Sequence, residues 1–107
     1  MRSFAPAVTA ELDRLAWETP ARGLKARTFR RGTVRIRLLE FSPGFVEPAW
    51  CRKAHQVYVL AGGCTLQFPD RDLRLKAGQV VCLPSGLRHK VRVRPGERAS
   101  LLVFDRA

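Results

Sequence analysis

The chain has 107 residues, 46% hydrophobic and 27% charged; that is enough for one hydrophobic core, and it excludes both a two-domain plan and a wholly disordered chain. Twenty Lys and Arg against nine Asp and Glu leave a formal net charge of +11, so nucleic acid, an anionic membrane surface and an acidic small molecule are the partner classes that charge alone suggests. The basic residues are spread along the chain rather than gathered on one segment, and no stretch reaches the ~20 apolar residues of a membrane span.

The N-terminal stretch Met1–Pro6 has no apolar run of signal-peptide length before Glu11 and Asp13, which predicts a soluble cytoplasmic protein. A short helix is expected next: Thr9 can cap it, Glu11 and Asp13 suit its positive dipole end, and Leu12, Leu15 and Ala16 share a face. Residues 1–32 thus read as an N-terminal helix and arm, and 33–107 as the body of a single domain. From Thr33 the pattern changes to short runs of Val, Ile, Leu and Phe. They are broken by Ser42-Pro43-Gly44, Gly62-Gly63, Pro69-Asp70, Lys76-Ala77-Gly78, Pro84-Ser85-Gly86 and Arg94-Pro95-Gly96, turn signals that mark out seven or eight strands.

Alternation assigns faces within these strands. Val34, Ile36 and Leu38 oppose Arg35 and Arg37, and Val91 and Val93 oppose Lys90, Arg92 and Arg94, which places much of the arginine on solvent-facing pleats. In His55–Ala61, Val57 and Val59 share one face and Tyr58 and Leu60 the other, the pattern of a strand covered on both sides. Regular short strands without long helices predict an all-β antiparallel jelly roll or small barrel.

The most specific stretch is Gly78-Gln79-Val80-Val81-Cys82-Leu83-Pro84-Ser85-Gly86-Leu87-Arg88-His89, or G-x5-P-x-G-x2-H. Gly78 opens a strand, Pro84 and Gly86 permit a tight turn, and His89 starts the returning strand with the parity of Val91 and Val93, pointing inward. This stretch resembles the second motif of the cupin superfamily. Upstream, Trp50–Gly62 resembles the end of the first cupin motif, G-x5-H-x-H-x3-E-x6-G, most clearly in Tyr58-Val59-Leu60-Ala61-Gly62. With Gly62 as its closing glycine, the glutamate position falls on His55, the second histidine position on Cys51 and the first on Ala49; Val93 stands where an asparagine often follows the second motif.

The resemblance covers about residues 40–105 and implies a cupin-like jelly-roll β-barrel. The usual three-histidine, one-glutamate metal set becomes Cys51, His55 and His89, whose parities turn all three inward. One thiolate and two imidazoles suit a divalent transition metal (Zn, Fe, Ni, Mn or Cu) with a position left for water or substrate. The competing assignment is structural: free Cys is commonly buried, and a His can simply hydrogen-bond inside a barrel. Glu47 shares the inward parity and reads as a rim residue. Phe45 and Trp50 read as core or pocket lining, and Cys64 and Cys82 as structural.

An odd cysteine count with no C-x-x-C pair argues against a disulfide framework or zinc ribbon and fits a reducing compartment. A small-molecule ligand in the barrel, bound directly or through a metal, is the expected function. The resemblance also implies metal-dependent relatives, among them dioxygenases, isomerases and decarboxylases. No helix-turn-helix, zinc knuckle or aromatic RNA-binding signature is present, so only a phosphate-contacting surface remains and basic nucleic-acid binding is the least favoured of the alternatives. A homodimer is expected, since small cupins commonly pair through sheet edges, with the residues before Thr33 as candidates for that pairing.

Overall fold

A computed structural model describes residues 7–106; the Met1–Pro6 stretch, on which the expectation about a signal peptide rests, lies outside the described residues. Eight antiparallel strands carry the fold: β1 (Glu18–Ala21), β2 (Leu24–Arg31), β3 (Val34–Phe41), β4 (His55–Gln67), β5 (Asp72–Lys76), β6 (Val80–Leu83), β7 (Lys90–Arg92) and β8 (Ala99–Arg106). The expected all-β jelly roll is present. Its larger sheet runs β1-β2-β3-β8-β4-β6, and its smaller sheet pairs β4 with β5 and β7. Among the described residues, strand pairing does not close these sheets into a complete ring.

The long strand β4 serves both sheets. Its first half pairs with β8 and β6, and its second half pairs with β5 and β7. The changeover occurs at Gly62, where the backbone takes φ +70° and a Cβ would lie 1.8 Å from the Arg98 carbonyl oxygen. Gly62-Gly63 is therefore a bend within one strand, where the sequence predicts a turn between two. Only glycine supplies both the left-handed conformation and the close approach.

Two strands precede Thr33, inside the segment expected to be an arm. Residues of β2 register along β3 from Leu24↔Phe41 to Arg31↔Val34, and β1 adds to β2 as the edge. The expected helix is reduced to one 3-10 turn at Leu12–Arg14, preceded by Glu11 and lacking a side-chain cap. Arg27 fixes this turn from outside: its guanidinium donates to the Leu12 carbonyl at 3.0 Å and stacks over Trp17 at 4.1 Å.

The core lies between the sheets and includes Leu39, Phe41, Val57, Val59, Cys64, Leu66, Leu75, Val93, Leu101 and Val103. Two faces differ from the alternation pattern. The odd residues of β3 point inward, because Leu39 and Phe41 at its far end are buried; Arg35 and Arg37 follow them to the interior, and Val34 is exposed. Alternation was legible, but three apolar residues on the even face outweighed the two that fix the inner one. On β4, Val57 and Val59 are buried while Tyr58 and Leu60 are exposed, so the described residues cover only one side of that strand. Cys82, read as structural, is also exposed on the outside.

Candidate functional site

Between the sheets lies a cavity of about 420 Å³, a size suited to a small ligand. Its floor is apolar, built from Leu39, Phe41, Phe45, Val57 and Leu101, with the Phe41 and Phe45 rings 4.9 Å apart. Cys51, His55, His89, Arg35, Arg37 and Lys53 also line it. Phe45 thus belongs to core and pocket alike, whereas Trp50 faces outward beneath Lys90, whose ammonium sits 4.4 Å from the ring centroid.

The second-motif turn brings His89 back opposite Cys51. The two residues exchange backbone hydrogen bonds, Cys51 N–H to His89 O at 2.9 Å and His89 N–H to Cys51 O at 3.0 Å. Such a pair projects both side chains to the same side of the ladder. His55 begins β4 four residues later. The donor atoms of Cys51, His55 and His89 all lie within 4.8 Å of one another, with Cys51 Sγ 3.3 Å from His55 Nε2. The imidazole rings are edge-to-face at 5.3 Å. The structure therefore gathers the three residues singled out in the sequence at one end of the cavity.

Each histidine is oriented through its other nitrogen. His89 Nδ1 lies 2.9 Å from the Leu87 carbonyl oxygen; since only an N–H can face that acceptor, Nε2 keeps its lone pair for the pocket. His55 Nδ1 lies 2.9 Å from Asp105 Oδ2, although the carboxylate is off the N–H axis and makes no aligned hydrogen bond. The nearby negative charge still favours the proton on Nδ1 and the lone pair on Nε2, facing Cys51.

Asp105 is the neighbour of the candidate site that the sequence pattern leaves unmarked. It shares the inward parity of Leu101 and Val103, and this lone acid on the inner face of an otherwise apolar strand was the available signal. Arg35, directly across the ladder, grips it with Nε–Oδ1 and Nη2–Oδ2 contacts of 2.7 Å each, and Arg37 Nη2 adds one at 3.2 Å. Burial pushes the Asp105 carboxyl up, but the Arg35 hydrogen bonds and the charges of Arg37 and Arg35 outweigh it and hold the group below its usual range. Burial holds His55 below its ordinary 6.5; Asp105 opposes this, and His89 and Arg37 add to it. A neutral imidazole is the ligating form.

The donor set fits a divalent transition metal. A tetrahedral centre with metal–sulfur near 2.3 Å and metal–nitrogen near 2.0 Å places its donors roughly 3.5 Å apart, close to the 3.3 Å between Cys51 Sγ and His55 Nε2. Glu47 stands at the rim as expected, but its Oε1 accepts from the Val91 N–H at 3.0 Å, which commits it to holding the loop.

The fold recurs in solved structures. The polyketide cyclase RemF from Streptomyces resistomycificus superposes with a TM-score of 0.82 at 21% identity, over 94% of this chain and 80% of that one. A sugar phosphate isomerase of the cupin superfamily from Silicibacter pomeroyi gives 0.77 at 17% identity, over 94% and 76%. A cupin-2 domain from Rhodospirillum rubrum gives 0.76 at 20% identity, over 99% and 79%. No curated protein matches the sequence. The family model described as a cupin domain matches residues 37–105, which span β3 to β8 and all three donor residues, and the chain accordingly belongs to the cupin superfamily.

Proposed function

We propose that this small cupin binds a small molecule in its interior cavity with a divalent transition metal held by Cys51, His55 and His89. The observation that carries the reading is the convergence of these three donors at one end of an apolar cavity. The metal would supply Lewis acidity and an open coordination position. The chain's own residues do the rest: Leu87 and Asp105 set the histidine tautomers, and Leu39, Phe41 and Leu101 keep the floor dry. Three free thiols, with Cys64 fully buried, fit a reducing cytoplasmic setting; among the described residues no helix is long and apolar enough to cross a membrane.

Elemental analysis of tag-free protein, beside His89→Ala and Cys51→Ser prepared identically, tests the metal. Near-stoichiometric zinc, iron, nickel, manganese or copper in the parent and a marked loss in His89→Ala is the expected result. No metal in the parent after reconstitution would overturn this part of the reading. A second reading, a metal-dependent enzyme, is favoured by the three-donor set, which leaves coordination positions for a substrate; turnover that disappears on chelation and returns with metal is its test.

The reading includes a homodimer. Tyr58, Leu60, Val80 and Phe104 stand exposed, and Tyr58 lies in register with Leu102 and Val80 across the large sheet. That much apolar side chain on one sheet suits burial against a second copy.

A further inference from the structure

The cavity is largely apolar in its lining but also carries cationic side chains. Arg35, Arg37 and Lys53 line it, and the carboxylates that face them are Asp105 and Glu47. These charges are unequally committed. Arg35 spends Nε and Nη2 on Asp105, forming a bidentate pair, and Glu47 is engaged by the Val91 N–H. Arg37 makes a single 3.2 Å contact to an acceptor that Arg35 already holds, and its Nε is buried with no hydrogen-bond partner. The Arg37 side chain is nevertheless 23% exposed, and a guanidinium that makes one long, shared contact through Nη2 keeps N–H groups at its terminal edge for an incoming anion. Lys53 adds an exposed cation on the same lining.

From this placement we propose that the ligand is a small organic carboxylate with an apolar body, its carboxylate meeting Arg37 and its body lying on Phe41, Phe45 and Leu101. The assignment rests on the cavity being the ligand site, the part of the proposed function that does not involve the metal. Charge and shape each exclude a class. A strongly polar ligand such as a free sugar would leave its hydroxyls facing Leu39, Phe41 and Val57 without partners. An amine would meet uncompensated positive charge. A carboxylate is planar and accepts two parallel hydrogen bonds, which a guanidinium edge is shaped to give.

The test is calorimetric titration of chelator-treated protein with acetate, hexanoate and benzoate, each beside its uncharged amide. Chelation removes any direct carboxylate–metal contact. Hexanoate or benzoate should bind at least about tenfold more tightly than its amide, and acetate more weakly than either, because it lacks the apolar body. In Arg37→Gln the preference for carboxylate over amide should fall to about unity. It should persist in Arg30→Gln, which removes an exposed charge from β2. Equal binding of acid and amide by the parent would overturn the carboxylate assignment and leave the cavity as an uncharged ligand site. No binding of any probe would overturn it together with the cavity reading, whereas failure of the metal reading alone would appear only in the elemental analysis. Should Arg37→Gln fail to fold, Arg37→Lys keeps the charge but not the planar fork and should lower the acid-to-amide ratio several-fold, whereas an unchanged ratio in it would overturn the assignment to Arg37.

Discussion

Asp105 ties three side chains from two other strands: Arg35 and Arg37 on β3 and His55 on β4. In Asp105→Asn, two half-buried guanidinium groups would lose their counter-charge, a change that should destabilise the fold by about 3 kcal/mol in urea denaturation. The same variant should weaken cobalt binding, followed by absorbance, by roughly tenfold or more, since the group that orients His55 is gone. Cys64 makes a separate prediction. Burial pushes its thiol up to about 11, with Arg74 opposing and Glu97 adding. At pH 8 a thiol-specific reagent should therefore modify Cys82 and leave Cys64 unmodified in the folded protein. A raised folded-state pKa means that this thiol's contribution to stability is intact below the unfolded value of 9.0 and is lost as pH rises from 9.0 through about 11. Cys64→Ala should flatten that alkaline limb of a stability profile. At this scale the sequence was most informative where parity alone decided, as with His89 beside Val91 and Val93. It was misleading for Arg35 and Arg37, because their inward face pairs them with Asp105 and lines the cavity, and a pattern of apolarity reads a charged face as outer.

Among the strands, β4 carries the heaviest constraint. Gly62→Ala would force a Cβ to within 1.8 Å of the Arg98 carbonyl oxygen at a φ of +70°. The loss should be at least about 3 kcal/mol by thermal or chemical denaturation, with outright failure to accumulate folded protein as the extreme. Gly86→Ala, at φ +90° but with nothing within 4 Å, should cost only about 1 kcal/mol. This contrast separates conformational strain from collision, and similar losses at the two sites would refute it. The Gly-Gly signal was read as a turn because a turn and a bend ask the same thing of the local backbone. What distinguishes them is the Gly63 N–H bond to the Arg98 carbonyl at 3.0 Å, a partner 35 residues away that no local window contains. The motif turns at Pro84-Ser85-Gly86 and Arg94-Pro95-Gly96 were legible because their geometry is set by their own residues. Strands β1 and β2 were not, since β2 carries charge on both sides of its alternation and takes its register from β3.

At the scale of the molecule, the outer face of the large sheet exposes apolar side chains, Tyr58, Leu60, Val80 and Phe104 among them. The sequence shows β4 as apolar on both sides, and the structure covers one of them. Sedimentation equilibrium should find a dimer at micromolar concentration, and Val80→Lys combined with Tyr58→Asp should yield monomer with metal content unchanged, because both side chains lie on the face opposite the cavity lining. A monomeric parent would remove the dimer from the proposed function. The fold class was legible throughout, from strand spacing and the two motifs; the order in which strands pair was not, because it depends on contacts between distant segments.

That order has a consequence in time. The eighth strand to be synthesised, β8, lies between β3 and β4, so neither of those strands can complete its pairing until every intervening residue exists. The β2–β3 and β4–β5 hairpins can zip locally, while the central seam waits for a long-range closure that is intrinsically slow. Until then the facing edges of β3 and β4 are open to neighbouring chains. Because Asp105 rides on β8 while Arg35 and His55 stand on the two strands it joins, the polar cluster comes into being only at the closing step, and refolding followed through the His55 environment should report the slowest structural phase rather than early collapse.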